Sequence, residues 1–152
     1  MPIAPLVERP DLVDQVAAWG FAEWGHLNPG QTLHSRTARI RETMDADRVP
    51  IVLVALDDAG LLVGTASLLF DDLEGDTRNP WLASVFVPAG QRGKGTASAL
   101  VVAVEDAARR LGYPILYLFT TSAARLYARL GWRALERRAY RGEHIQVMDK
   151  AL

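Results

Sequence analysis

The chain contains no cysteine. This absence excludes disulfide bonds, thiolate metal sites and a cysteine nucleophile. No apolar run approaches the roughly 18 residues that a membrane-spanning helix needs, and the first residues lack the basic flank and apolar run of a signal peptide. We therefore expect a cytoplasmic protein that contacts no membrane. Its 152 residues suit a single domain built around one core, spanning residues 1–152.

The sequence also lacks an excess of either charge, since its net charge at pH 7 is −1. A near-neutral balance argues against nucleic acid or an anionic membrane as the partner. The two halves differ, however: residues 1–90 hold 6 Lys and Arg against 13 Asp and Glu, whereas residues 91–152 hold 11 against 5. This distribution fits either uneven surface charge or a C-terminal half that receives a polyanion.

Hydrophobic periodicity and turn residues predict an α/β chain with seven strands and four helices. Pro2 and Pro5 restrict the first strand to a sheet edge, and the continuous apolar run at 51–56 is typical of a strand covered on both faces. The helix ending at Leu111 joins two strands in a βαβ unit, which predicts a parallel pair. The predicted elements are strand 2–8, helices from 10 and from 31, strands 51–56, 61–70 and 81–87, the helix ending at 111, strand 115–120, helix 122–130, and strands 132–140 and 143–151.

A glycine-rich turn at Gly93 and Gly95 connects strand 81–87 to the following helix. The first amides of a helix have no internal partners, and the helix dipole places partial positive charge there, so this turn suits a phosphate group. Glycine allows positive φ and close approach of the anion. Two nucleotide motifs do not fit, because Thr96 stands where the P-loop needs lysine and Ser98 stands where the Rossmann fingerprint needs glycine.

The segment Arg92-Gly93-Lys94-Gly95-Thr96-Ala97 resembles the R/Q-x-x-G-x-G/A motif of the GNAT superfamily, the acyl-CoA-dependent N-acyltransferases. Residues 122–132 resemble the "A…Y…GF" element of that family, with Trp132 where phenylalanine is usual. The order of elements also matches the family over essentially the whole chain. The resemblance implies a mixed, mostly antiparallel seven-stranded sheet with helices on both faces.

The resemblance implies acetyl-CoA as co-substrate, with no metal. The amides from Gly93 to Ala97 would hold the pyrophosphate, and strand residues 85–87 would hydrogen-bond the pantetheine arm. The amide of Val85 or Val87 would also donate to the thioester oxygen as it becomes negative, although from the sequence alone these valines are simply core residues. The implied cofactor-binding residues are Val85, Phe86, Val87, Arg92, Gly93, Lys94, Gly95, Thr96, Ala97 and Thr120.

Tyr127 matches the family tyrosine that protonates the departing thiolate, and a phenol with a pKa of about 10 is protonated at neutral pH. Thr120 stands where many members carry asparagine, seven residues before that tyrosine. The strand at 81–87 lacks the glutamate that many members use as general base, and its only polar residue is Ser84. The base is therefore not identified, and Glu23, His26 and the acids of residues 71–76 remain candidates.

The implied function is transfer of an acetyl group from acetyl-CoA to a primary amine of a small molecule, peptide or protein. Trp24 and His26 lie in the break between the first two helices, where the family usually recognises the acceptor, but the sequence does not identify that acceptor. The missing glutamate and Thr120 leave open a different class, a non-catalytic acyl-CoA-binding sensor or regulatory module. An edge strand can pair with a second chain, so a homodimer also remains open.

Overall fold

The structure is a computed structural model that describes residues 2–152. Seven strands and four α-helices follow the predicted order, and short 3₁₀ turns connect several of them. No helix within this range is long and apolar enough to cross a membrane. The elements are β1 (Ile3–Pro5), α1 (Val13–Trp24), α2 (Leu33–Thr43), β2 (Ile51–Leu56), β3 (Leu62–Leu69), β4 (Trp81–Phe86), α3 (Thr96–Arg110), β5 (Ile115–Thr120), α4 (Ala124–Arg129), β6 (Arg133–Tyr140) and β7 (Glu143–Ala151).

The strands form one sheet in the order β1-β2-β3-β4-β5-β7-β6. Every neighbouring pair is antiparallel except β4 and β5, which are parallel. The predicted fold class is thus confirmed, and β1 lies at an edge as its prolines require. Two predicted ends are wrong: the first strand stops at Pro5, and residues Pro10–Leu12 form a 3₁₀ turn, so α1 begins only at Val13.

Strand β2 shows how the sheet divides the core between two helical layers. All six of its residues are buried, and they alternate between the two faces as strand geometry requires. Ile51, Leu53 and Ala55 pack in the large cluster beneath α3. The intervening residues pack in a second cluster with α1 and α2; they are Val52, Val54 and Leu56. The two faces of the sheet are therefore covered by different parts of the chain.

The parallel strands β4 and β5 diverge soon after they meet. Their ladder consists of one registered pair, Trp81 with Tyr117. Further along, β4 stays paired to β3, but the register shifts between Thr65 and Ser67. Ser84 in the same stretch has φ of 54°, a left-handed conformation that is uncommon outside glycine. Beyond Trp81, the edge of β4 that faces away from β3 thus borders an opening instead of a neighbouring strand.

Candidate active site

The opening between β4 and β5 is the mouth of a cleft with a volume of about 450 Å³. Its donor side consists of β4 residues 82–85 together with residues 118–123 and Tyr127. Its opposite side consists of side chains from α1, α2 and the loop after β3. Ligand pockets commonly enclose about 300–1,000 Å³. The cleft is therefore large enough for the end of an acyl-carrying arm and a small acceptor.

The glycine turn at the start of α3 has the backbone conformation that its sequence predicts. Gly93 and Gly95 have φ of 80° and 79°, and Gly95 is the N-cap of the helix. A Cβ at either position would have no heavy atom within 4 Å. Positive φ, and not crowding, is therefore what requires glycine here. The amides that follow, from Thr96 onward, are the unpaired donors of a helix start and suit an anion.

The basic residues of this turn are partly engaged in holding it in place. The Nε of Arg92 donates to the carbonyl oxygen of Val87 at 2.9 Å, which ties the turn to the end of β4. The Nζ of Lys94 donates to the Gln91 side chain at 3.2 Å. Both cations are exposed. They can therefore bind a phosphate while their hydrogen bonds stabilise the loop that precedes the helix.

The predicted backbone contacts of β4 divide between two environments. Val85 lines the cleft, whereas Val87 is 7% exposed, lies in the core and uses its carbonyl to accept from Arg92. Phe86 packs against α1, with its ring centroid 5.2 Å from that of Trp19 and 6.2 Å from that of Trp24. Of the two candidate oxyanion donors, Val85 is thus the one that borders the cleft.

Tyr127 lies on α4 with only 7% of its surface exposed, and it lines the cleft. Within residues 2–152 its hydroxyl makes no hydrogen bond, and because every buried side-chain N or O atom in this range has a partner, the hydroxyl oxygen must be accessible from the cleft. The ring packs edge-on against Trp132, with centroids 6.1 Å apart. Burial raises the pKa of Tyr127 to about 12, so the phenol is protonated at neutral pH. A protonated donor without a partner is thus held where β4 and β5 diverge.

A buried ionic network supports the position of Tyr127. The indole N–H of Trp132 donates to one carboxylate oxygen of Glu105 at 3.2 Å, and Lys150 donates to the other at 2.7 Å. Lys150 also donates to the carbonyl oxygen of Leu130 at 2.8 Å. These bonds join α3 and β7 to the segment that follows α4. Since Trp132 packs against Tyr127, the network fixes one wall around the phenol.

Thr120 lies on the cleft at the end of β5. Its hydroxyl oxygen accepts from the backbone amides of Ser122 at 3.3 Å and Ala123 at 3.0 Å. This bond pattern positions the start of α4 and leaves the hydroxyl hydrogen free to donate. The side chain therefore has a local structural task as well as the predicted place beside a pantetheine arm.

The two predicted acceptor residues lie in different surroundings. Trp24 lines the cleft. His26 is exposed and lies outside the cleft lining, with its Nε2 3.4 Å from a carboxylate oxygen of Glu143. The structure thus brings Trp24, but not His26, together with Tyr127.

Sequence reasoning did not single out Asp72, which borders the cleft as one of four acids in residues 71–76. Glu74 forms an ion pair with Arg141, and Asp76 forms one with Arg78 at 2.5 Å. Asp72 has no such ion pair within the described residues. Burial raises its pKa to about 7, against the opposing effect of the Arg36 charge. The sequence distinguishes Asp72 from these neighbours only in part, because Arg78 lies two residues from Asp76 but the partner of Glu74, Arg141, lies 67 residues away.

Arg36 is the second cleft residue that sequence reasoning missed. Its Nη1 donates to the Gln31 side chain at 3.0 Å, and its guanidinium lies against Gly20 of α1. Burial lowers its pKa, while the charge of Asp72 opposes that effect. A cation and a carboxylate therefore face the same space without forming an ion pair.

Residues 13–132 match the family model described as the acetyltransferase (GNAT) family. No curated protein sequence matches the chain.

The fold is similar to that of several solved structures. An aminoglycoside 6'-N-acetyltransferase complexed with coenzyme A has 17% identity and a TM-score of 0.74, over 99% of this chain and 97% of that one. A ribosomal-protein-alanine N-acetyltransferase from Brucella melitensis has 23% identity and a TM-score of 0.73 over 100% of both chains. The yncA protein from Salmonella typhimurium, solved with its cofactor acetyl-CoA, has 21% identity and a TM-score of 0.70, over 99% and 93%. At these identities the likeness concerns the fold.

Proposed function

Because the chain belongs to the acetyltransferase (GNAT) family and is an acetyl-CoA-dependent acyltransferase, we propose that it moves an acetyl group directly from acetyl-CoA to a primary amine of a small molecule, peptide or protein. One observation carries the proposal. The side chain of Tyr127 is 7% exposed, and its hydroxyl has no partner within the described chain and is accessible from the cleft that the diverging ends of β4 and β5 also line. This is the place where a thioester between the two strands would present its sulfur.

The donor substrate fits this arrangement along its length. The turn at Gly93 to Ala97 offers backbone amides and two cations to the pyrophosphate. The gap between the strands accepts the pantetheine arm, which bonds to β4 at Val85 and approaches Thr120. Solved structures of similar fold contain coenzyme A in one case and acetyl-CoA in another, which supports acetyl-CoA as the donor here.

The reaction forms a C–N and an S–H bond, and it breaks the C–S bond and two N–H bonds. The lone pair of the neutral amine attacks the thioester carbonyl carbon, and the amide of Val85 donates to the oxygen that becomes negative. When that oxygen re-forms the carbonyl, the C–S bond breaks and its electron pair leaves on sulfur. Tyr127 donates to this sulfur. The products are the acetylated amine, the coenzyme A thiol and one proton released from the original ammonium ion.

The pKa of Tyr127 constrains how its proton moves. Complete transfer from a phenol of pKa about 12 to a thiolate whose conjugate thiol has a pKa of about 8.5 is uphill by about 5 kcal/mol. A free-standing phenolate is therefore not formed. Once the C–N bond exists, the acceptor nitrogen is acidic. Tyr127 therefore gives its proton to the sulfur while it receives a proton from that nitrogen. The hydroxyl acts as a relay between nitrogen and sulfur.

Replacement of Tyr127 by phenylalanine tests this function. We expect Y127F to lower kcat by about 10²-fold or more, with the acetyl-CoA Kd nearly unchanged, because the ring still packs on Trp132. Tyr113→Phe is the matched control, since Tyr113 packs at the edge of the same core but does not line the cleft. Equal turnover of Y127F and wild type would show that the acid role is wrong.

The competing function, an acyl-CoA sensor, is separated by thiol release. Wild-type protein with acetyl-CoA is mixed with a panel of amines that includes an aminoglycoside, a peptide with N-terminal alanine and free amino acids. Acceptor-dependent release of the coenzyme A thiol supports the transferase. Tight acetyl-CoA binding without release by any amine would support the sensor instead.

A further inference from the structure

Helix α2 presents two arginines to the acceptor side of the cleft. Arg36 and Arg39 are three residues apart and therefore lie on one helical face, and both line the cleft. Within residues 2–152 neither guanidinium lies within 4.0 Å of a carboxylate. Arg41, on another face of the same helix, does pair with Asp14 at 3.0 Å. The unpaired cations of α2 are those that face the cleft.

Arg36 is the more confined of the two. It is half-buried, and within residues 2–152 its only side-chain hydrogen-bond partner is the neutral Gln31. A guanidinium withdrawn from water loses hydration that a neutral amide replaces only in part. An anionic group entering the cleft would restore the missing interaction, with the paired geometry that guanidinium offers a carboxylate.

A carboxylate stands within electrostatic reach of these cations. Asp72 lies in the loop after β3, and the charges of Asp72 and Arg36 influence each other without direct contact. The two groups give the acceptor side a positive pole on α2 and a negative pole on the loop. The arginines on α2 would repel a polycationic amine. An acceptor without a carboxylate would leave these arginines unpaired.

We infer that the acceptor is a compact molecule that carries both a primary amine and a carboxylate, of the amino acid type, with its carboxylate on Arg36 and its amine facing Asp72. This inference rests on the proposed function. Asp72 also receives the proton: its carboxylate oxygen binds one proton of the ammonium ion, whose N–H electron pair stays on nitrogen as the attacking lone pair. Trp24 and Phe119 offer apolar walls for the rest of the molecule.

The acid strength of Asp72 fits an α-amine. Proton transfer from an α-ammonium of pKa about 8 to a carboxylate of pKa about 7 is unfavourable by about tenfold. From a lysine-type ammonium of pKa about 10.4 it is unfavourable by more than about a thousandfold. Within the described residues, the other charged and titratable groups that line the cleft are Arg36 and Arg39 on α2, Glu23 on α1, Asp71 beside Asp72, Tyr127 on α4 and Tyr140 on β6.

Thiol release from acetyl-CoA with matched acceptors tests the inference. The twenty protein amino acids are compared with spermidine, and each reactive amino acid is then compared with its amide and its decarboxylated amine. We expect kcat/KM to be at least about tenfold higher for the free amino acid. Equal or better rates for the amides or for amines without a carboxylate overturn the inference but leave the transferase function intact. No release with any amine overturns the proposed function itself.

Two variants test the roles of Arg36 and Asp72 separately. Arg36→Gln should bring the ratio of amino acid to amide rates close to one without changing the acetyl-CoA KM, whereas Arg41→Gln should keep the wild-type ratio. Asp72→Asn should remove the rise of kcat/KM near pH 7, whereas Asp47→Asn, in an exposed loop, should keep it. An unchanged ratio in R36Q, or an unchanged pH profile in D72N, would show that the corresponding pole is wrongly assigned.

Discussion

Gly20 connects the packing of α1 to the position of Arg36. A Cβ at residue 20 would lie 2.5 Å from Nη2 and 2.7 Å from Cζ of that guanidinium. These atoms end a flexible side chain, so they can move aside, while alanine raises helix propensity by about 1 kcal/mol. We expect G20A to unfold with an unchanged or slightly higher free energy in urea, but to raise the acceptor KM several-fold.

A double-mutant cycle distinguishes this mechanism from a general disturbance of α1. If Gly20 acts by leaving room for Arg36, then G20A should have no further effect on the acceptor KM in an R36Q background. Additive effects of the two substitutions would contradict the explanation. The acetyl-CoA KM should stay the same in all three variants.

Gly95 is the residue at which backbone conformation and donor binding coincide. Its φ of 79° is in the left-handed region, where a side chain costs about 1–2 kcal/mol. Gly112, at the other end of α3, has φ of 88°, and neither position is crowded. We expect G95A and G112A to lose similar free energies of unfolding, but only G95A to weaken acetyl-CoA binding in calorimetry. A similar loss of affinity in both would show that stability, not the anion site, is responsible.

Individual residues were predictable from the sequence where a local motif defines them. Gly93 and Gly95 were recognisable because positive φ at a helix start has a glycine signature, and Tyr127 because it keeps a fixed spacing to Gly131 and Trp132. Arg36 and Asp72 could not be recognised in this way, because they differ from nearby charged residues only in forming no ion pair within the described chain. The neighbouring acid Glu74 pairs with Arg141, which is 67 residues away, and such long-range pairing leaves no trace in local sequence.

At the scale of elements, Glu105 joins α3 to β7 and to the start of β6. It is 3% exposed and pairs with Lys150 at 2.7 Å. Removing one member of a buried ion pair leaves the other charge without compensation, which typically costs about 3–5 kcal/mol. We expect E105Q to lower the free energy of unfolding by about 3 kcal/mol and to reduce turnover, because glutamine offers one acceptor oxygen where the carboxylate offers Trp132 and Lys150 one each.

A second variant distinguishes the loss of the ion pair from general misfolding. The double substitution of Glu105 by leucine and Lys150 by methionine removes both charges and should recover most of the lost stability in urea unfolding. Turnover should recover less, because Trp132 still lacks its hydrogen-bond partner. If the double variant is as unstable as E105Q, the ion pair is not the source of the loss.

The ends of the strands were predictable from the sequence where burial of apolar residues alone determines them. Strands β2, β5 and β7 begin and end where their apolar patterns do, because each is covered on one or both faces. The left-handed Ser84 and the register shift beside it were not predictable, since nothing in the residues of β4 demands them. They arise because β4 follows β3 while leaving β5, which is a requirement of the whole sheet.

At the scale of the molecule, the two core clusters correspond to the two halves of the proposed reaction. The cluster beneath α3 supports the glycine turn and Tyr127, which lie in the basic half of the sequence. The cluster beneath α1 and α2 supports the acceptor side, whose residues come mainly from the acidic half. The sheet separates the clusters, and only where β4 and β5 diverge do the two sides meet. Of the 13 acids in residues 1–90, only Glu23, Asp71 and Asp72 line the cleft, so most of the charge asymmetry is uneven surface charge.

The unusual state of Asp72 should be measurable as a pH dependence of global stability. Its pKa is about 7 in the folded protein, above the unfolded value of 3.8. Between these values the folded state binds more protons than the unfolded state, so the free energy of unfolding falls as pH rises from about 4 to 7. If the whole pKa shift counted, the free energy of unfolding would change by about 4 kcal/mol. Because the side chain is only half-buried, we expect a change of about 1–2 kcal/mol.

Urea unfolding across this pH range tests the prediction. D72N and wild type should be equally stable near pH 4, D72N should be the more stable near pH 8, and D47N should follow wild type throughout. Parallel curves for D72N and wild type would mean that Asp72 titrates as an ordinary carboxyl group, and that the cleft leaves it hydrated.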